Sequence, residues 1–242
     1  MNLELAAAAN LTALHSNPYP GRGLIVGQDR TGRNMIQVYW IMGRSENSRN
    51  RVFEKEHDRV FTVAADPAKL KDPSLIIYNA MERVGGNFVV SNGDQTDTVV
   101  SAIQEGRSLQ SALQAREPEP DAPNYTPRIT AVTSLRTTTI LQIAIIRRPR
   151  FYASCERHYF TYDAMLHGYG LCITTYTGDG DPLPSFTGEP FLLPLKGKYI
   201  KEVGENIWNV LNENNRVSLA IKYIDRASGK SDIKLLNKYK KV

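Results

Sequence analysis

The stretch GLIVGQDRTGRNMIQVYWIMG, residues 23–43, decides how the chain is read. Two runs rich in β-branched and aromatic residues, GLIVG and MIQVYWIMG, flank the polar, Gly-containing segment QDRTGRN. Such a pattern predicts a strand, a turn and a strand, hence an antiparallel hairpin. The same grammar recurs outward from it. RVFTVAA (59–65) reads as a strand that Asp66-Pro67 breaks, and SLIIYNAMERVGGNFVVSNGD (74–94) as two strands around Gly85-Gly86. ITAVTSL (129–135) and TTTILQIAII (137–146) read as buried strands. VSLAIKYID (217–225) and SDIKLLNKY (231–239) read as a last hairpin across RASGK. Helical spacing is found in three places: Leu3 to His15, ending before Asn17-Pro18; 96–116, through Val99, Ala102, Ile103, Leu109 and Leu113; and 198–215, through Val203, Ile207, Val210 and Leu211. No repeat of fixed period is found. Strand runs joined by short turns, with the helices segregated, predict an α+β fold of mostly antiparallel sheets and not a Rossmann alternation.

The chain has 242 residues, 41 % of them hydrophobic and 23 % charged, a composition that supports one sizeable core. The Pro-rich segment EPEPDAPNYTPRIT (117–130) leads straight into a buried strand and is read as a loop inside a single domain covering 1–242. A net charge of +5 suits an anionic ligand and also RNA, without choosing between them. Cys155 and Cys172 carry no pairing motif, so a reducing, cytoplasmic setting is expected. The N-terminus lacks the basic and apolar regions of a signal peptide, and no apolar run reaches membrane-spanning length.

Four segments hold candidate chemistry. GRSENSRNR (43–51) brings Arg44, Arg49 and Arg51 together with Ser45 and Ser48 just after a strand. Guanidinium forks match phosphate oxygens, although a solvated basic loop has the same composition. TTYTGDGDPLPSFTGEP (174–190) gathers Asp179, Asp181 and Glu189 among glycines and prolines. It lacks the ligand spacing of a calcium loop and reads as a rigid, shaped loop whose carboxylates hold hydroxyls or an amide. SNGDQTD (91–97) offers a turn at Asn92-Gly93 and a helix cap at Asp94 or Thr96. Cys155, His158 and His167 fall short of a zinc set, and SGKS (228–231) is no P-loop because Ile224 stands where the first glycine belongs.

GRSENSR, IIYNAM, VSNGDQTD, NYTPRIT and TTYTGDGDPLPSFTGEP, in this order, resemble the archaeal-type IMP cyclohydrolase family over about residues 23–190, and more loosely beyond. The resemblance implies an αββα four-layer sandwich like that of N-terminal-nucleophile hydrolases. It also implies the last step of purine synthesis, the closure of 5-formamidoimidazole-4-carboxamide ribonucleotide to IMP with loss of water, without cofactor or metal. The chain departs from the family in a segment, residues 1–20, read as an N-terminal extension. It also has Gln95 where a His often precedes the Thr-Asp pair. It begins Met1-Asn2, so no amidohydrolase nucleophile is expected at its start.

That reaction needs near-attack geometry, donors for an oxyanion, and a proton for the departing oxygen. Arg49 is the candidate for the oxyanion and Tyr78 for proton transfer, since a phenol both donates and accepts. Arg44 and Arg128, with Ser45, are candidates for phosphate or carboxamide. Asn79, Asn92, Asp97, Asn124, Asp179 and Asp181 are candidates for base and ribose. The partner implied is a small purine nucleotide, with a homo-oligomer left open and no membrane. A nucleotide sensor that keeps the pocket without catalysis is the alternative. RNA binding by the lysine-rich end KLLNKYKKV is the weaker one, since Tyr239 alone offers a stacking face.

Overall fold

The computed structural model describes residues 2–149, 151 and 153–241. In chain order the elements are α1 (Leu3–Ser16), β1 (Gly23–Gln28), β2 (Asn34–Met42), α2 (Glu46–Arg49), β3 (Arg51–Glu56), β4 (Arg59–Ala64), β5 (Asn79–Val84) and β6 (Asn87–Ser91). They continue with α3 (Gln95–Gln104), α4 (Leu109–Leu113), β7 (Arg128–Ser134), β8 (Leu141–Arg147), β9 (Glu156–Tyr162), β10 (Tyr169–Thr174), β11 (Phe191–Pro194), α5 (Ile200–Val210), β12 (Arg216–Asp225) and β13 (Ser231–Asn237). The strands form a six-stranded sheet, β11-β10-β1-β2-β12-β13, and a seven-stranded sheet, β3-β4-β5-β6-β7-β8-β9. Neighbouring strands in both run antiparallel.

Side-chain alternation builds four layers. Leu24, Val26, Tyr39 and Ile41 of the six-stranded sheet meet Val90, Ile129, Ile143 and Ile145 of the other in one core between the sheets. Ile25, Val38 and Trp40 point the other way and pack with Leu14 of α1 and Val203 and Ile207 of α5. On the opposite outer face Val89, Val132 and Ala144 pack under Val99 and Ala102 of α3 and Leu109 of α4. Each central strand is therefore apolar on both faces, which is why these strands read as near-continuous hydrophobic runs. The expected αββα sandwich is the observed architecture.

Several details differ from the sequence reading. The helical run at 96–116 is two helices, because Gly106 adopts φ +74° and its turn redirects the chain. The apolar residues before β5 are not strand: the N–H groups of Ile76 and Ile77 bond to the Pro73 carbonyl in a turn. Residues 46–49, read as polar loop, form the short helix α2, which Ser45 caps by accepting from Ser48 N at 3.2 Å. Strands β3, β9, β10 and β11 carry no equivalent in that reading.

The N-terminal segment is part of the packing. Asn2 caps α1, Ala7 and Leu14 are buried, and the Asn10 amide donates to the Leu192 carbonyl of β11 at 3.0 Å. No helix among the described residues is long and apolar enough to cross a membrane.

Candidate active site

Because the sheets are antiparallel, β1, β3, β5, β7 and β12 begin, and β2, β4, β6 and β10 end, at one end of the sandwich. A cavity of about 380 Å³ lies there. It is of the size that holds a small nucleotide. Its polar lining comes from chain segments far apart in sequence: Arg22, Arg44, Ser45, Arg51, Glu119, Asp121, Asn124, Thr126 and Tyr176.

Arg22 enters from the start of β1. Gly21 delivers it through φ +70°, where a Cβ would come within 2.2 Å of Thr175 Oγ1 and 2.4 Å of the Tyr176 ring. The Arg22 guanidinium donates to the Asn92 carbonyl at 2.8 Å and pairs with Glu119 at 2.5 Å, both groups being buried. Burial works against the charged guanidinium, but the Glu119 carboxylate and the phenols of Tyr78 and Tyr39 hold it charged beyond its ordinary range. Burial likewise pushes the Glu119 carboxyl up, against the pull of Arg22.

The same region holds a phenol pair. Tyr39 of β2 and Tyr78, just before β5, join their hydroxyls across the sandwich at 2.6 Å. Burial, and then the neighbouring Tyr78, push the Tyr39 phenol well above its usual range. A second chain of hydroxyls forms the wall: Thr126 donates to Asp121 and meets the Tyr176 hydroxyl at 2.5 Å. Burial raises the Tyr176 phenol too. Its ring stacks on Tyr19 with centroids 6.1 Å apart, and the Arg44 guanidinium covers Tyr19 at 4.9 Å. Tyr19, inside the segment read as an extension, thus lines the cavity.

The mouth is made by α2 and the 174–190 loop. Arg51 donates through Nε to the Ser48 carbonyl at 2.9 Å and is buried against the cavity. Arg44 reaches across to Asp179 at 2.5 Å and to the Gly180 carbonyl at 3.2 Å. The loop is closed on itself, with Thr177 N bonded to the Pro184 carbonyl at 3.0 Å and Phe186 N to the Thr175 carbonyl at 3.0 Å. Asn124 ties it to the opposite wall by accepting from Leu183 N at 3.0 Å. The loop is thus a folded wall, as the glycine and proline pattern implies. Among the described residues no three His, Cys, Asp or Glu side chains converge as a metal-ligating group.

The residues singled out by sequence therefore separate. Arg44, Ser45 and Asn124 line the cavity, and Asp179 is at its mouth on Arg44. Tyr78 is buried behind it, against Tyr39 and near Arg22. Arg49 is not among the lining residues: its Nε donates to the Gly43 carbonyl at 2.9 Å and its Nη2 to Asn215 at 3.3 Å. Asn92 is committed to the backbone, donating to the Pro127 carbonyl and accepting from Ile129 N, both at 2.8 Å. Arg128 bonds to Asp94 at 2.6 Å and to Gln95 at 2.9 Å. Gln95 in turn donates to Asn92 at 2.8 Å, so this side chain braces the β6–α3 turn. Asn79 and Asp97 pair with each other at 2.8 Å away from the lining, and Asp181 is exposed.

Sequence reasoning passed over Tyr19, Arg22, Tyr39, Glu119, Asp121, Thr126 and Tyr176, whereas Arg51, read there as part of the arginine cluster, does line the cavity. Two of them carried a readable signal: Arg22 lies between glycines in GRG, and Glu119 between prolines in PEP, charges where the backbone is tightly constrained.

The αββα sandwich thus carries, at one end, a cavity lined by Arg22, Arg44, Arg51, Glu119 and Asp121 and backed by buried phenols. The family model described as IMP cyclohydrolase-like protein matches residues 19–229, and the chain belongs to that family. Among curated proteins it is similar to the IMP cyclohydrolase of Methanopyrus kandleri, 30 % identical over 130 residues, covering 52 % of this chain and 64 % of that protein. The IMP cyclohydrolase of Methanococcus aeolicus is 29 % identical over 130 residues (52 % and 63 %), and that of Methanocella arvoryzae 32 % over 120 residues (48 % and 58 %). The chain thus spans less than two thirds of the length of these relatives.

Proposed function

We propose that the protein is an IMP cyclohydrolase, which closes 5-formamidoimidazole-4-carboxamide ribonucleotide to IMP and releases water. The observation that carries this reading is the buried Arg22–Glu119 pair lining a nucleotide-sized cavity, with the Tyr39–Tyr78 hydroxyls buried behind it. Family membership and the names of the relatives support it.

The chemistry follows from those groups. The carboxamide nitrogen is a poor nucleophile, but it attacks a formyl carbon in the same molecule, so fixing both groups in contact removes much of the barrier. Attack puts negative charge on the formyl oxygen. Arg22, held charged by Glu119, supplies the stabilising dipole there, a role first read for Arg49. Arg49 instead ties the end of α2 to Gly43 and Asn215. The carboxamide nitrogen gives up one proton on attack and the formamido nitrogen a second on C=N formation, and both end on the departing oxygen as water; Tyr78, bonded to Tyr39 just behind the lining, relays a proton in this exchange. Arg44 and Ser45 receive the phosphate, and Asp121, Asn124 and Tyr176 bound the base and ribose. Asn92, Arg128 and Gln95 support the floor from behind. No step calls for a cofactor.

The test is the appearance of IMP absorbance when the formyl substrate is added to purified protein. Turnover is expected. Binding of IMP with no turnover would replace the enzyme by a nucleotide-binding protein, and absence of both would discard the reading.

A further inference from the structure

The mouth of the cavity holds a contact that the proposed reaction does not use. Arg44 pairs with Asp179 at 2.5 Å across 135 residues of chain and takes the Gly180 carbonyl at 3.2 Å with the same nitrogen. The two side chains are 41 % and 45 % exposed, so the pair is solvated and weak. The other cavity cations are committed differently. Arg22 stays charged but is paired with the buried Glu119, and Arg51 is turned to the carbonyls of Ser48 and Met42. Arg44 is thus the cation at the mouth, and a carboxylate already sits on it. Asp179 lies between Gly178 and Gly180 and is half exposed, so its carboxylate can turn away from Arg44 into solvent.

We infer that Asp179 is a built-in competitor for the anionic group of the ligand and lowers the preference of the site for phosphorylated over unphosphorylated nucleosides. The inference rests on the reading of the cavity as a nucleotide site. A phosphate dianion carries more charge and more acceptor oxygens than a carboxylate and displaces it from the guanidinium fork. An uncharged nucleoside gives no such exchange and leaves Arg44 on Asp179. Asp179 therefore acts on the ligand through Arg44 and is no sugar ligand.

Titration calorimetry of IMP, inosine and inorganic phosphate against the full chain and its Asp179→Asn variant tests this. Removing the competitor is expected to tighten IMP and phosphate by about two- to fivefold, the range spanned by an exposed ion pair, and to leave inosine unchanged. The gain is expected to vanish in an Arg44→Gln background. Asp179→Ser, with a thermal melt of each variant, guards against a folding defect. Weaker binding of both IMP and inosine would make Asp179 a ribose ligand and overturn the inference. Unchanged affinities, or no phosphate binding by either protein, would overturn it too. A protein that shows the phosphate gain but never forms IMP from the formyl substrate would keep this inference and lose the enzymatic reading.

Discussion

At the scale of single residues, the buried polar groups decide both stability and chemistry. Tyr78 is the sharpest case. Tyr78→Phe keeps the ring in the core but strips Tyr39 of its partner at 2.6 Å. Leaving that buried hydroxyl unpaired is expected to cost about 1–3 kcal/mol, visible in urea unfolding. The kcat is expected to fall by about 10²–10⁴, the range for a group that moves a proton. Unfolding curves and kcat measured on the same protein separate the two effects, and wild-type kcat with reduced stability would make Tyr78 a packing residue. The sequence exposed Arg44 and Ser45 through the composition of their polar loop, and Tyr78 and Asn124 through the family resemblance of the motifs that hold them. It could not expose the Arg22–Glu119 pair or the Tyr39 hydroxyl. Their partners lie 97 and 39 residues away, and only the stacking of two sheets creates the contact. For Arg49 the reverse holds: its composition suggested anion binding, and its guanidinium is satisfied by a backbone carbonyl and an amide.

At the scale of elements, the strands buried on both faces were legible and those at the margins were not. β1, β2 and β12 are runs of Val, Ile, Leu and aromatics bounded by turn residues. β9, ERHYFTY, is an edge strand, half exposed along its length, and its charges hide the period. β10 follows Gly168 and contains Gly170, and glycine weakens the strand signal. Helix α1 was legible as a helix, yet nothing local showed where it docks. Its Leu14, 4 % exposed, belongs to the core shared by α5 and the six-stranded sheet. Leu14→Ala is expected to destabilise the protein by about 2–5 kcal/mol and to open the 1–18 segment to protease before the rest. Unchanged urea midpoint and unchanged cleavage would show that α1 is only loosely attached.

At the scale of the molecule, the two sheets are held together by polar bonds at both ends. Opposite the cavity Lys222 is buried and donates to the Asp58 carbonyl at 2.5 Å, with Asp58, Glu82 and Arg83 around it. Burial pushes its ammonium down from 10.5 to about 8, against the pull of Asp58 and Glu82. Between about pH 8 and 10.5 the unfolded chain therefore binds more protons at this position than the folded one, and stability from Lys222 rises with pH. That stability is lost as the pH falls through about 8. Lys222→Met removes the dependence. The stability of the variant relative to wild type is expected to be highest near pH 7 and to decline by about 3 kcal/mol by pH 10.5, checked by urea unfolding across that range. A pH-independent difference would mean that Lys222 keeps its ordinary ionisation.

The cavity also sets the order in which the protein can become competent. Arg22, Tyr78, Glu119 and Tyr176 come from four segments spread over 155 positions, on both sheets. Each hairpin can zip up locally, but no hairpin or single sheet contains a working subset of these groups. Contacts so distant in sequence are the slow ones to form, because loop closure is costly before they can reward it. On dilution from urea, backbone circular dichroism should recover first, and the capacity to bind nucleotide should lag until the sheets have docked. A chain arrested before that moment would look folded to the spectrometer and be blind to its ligand.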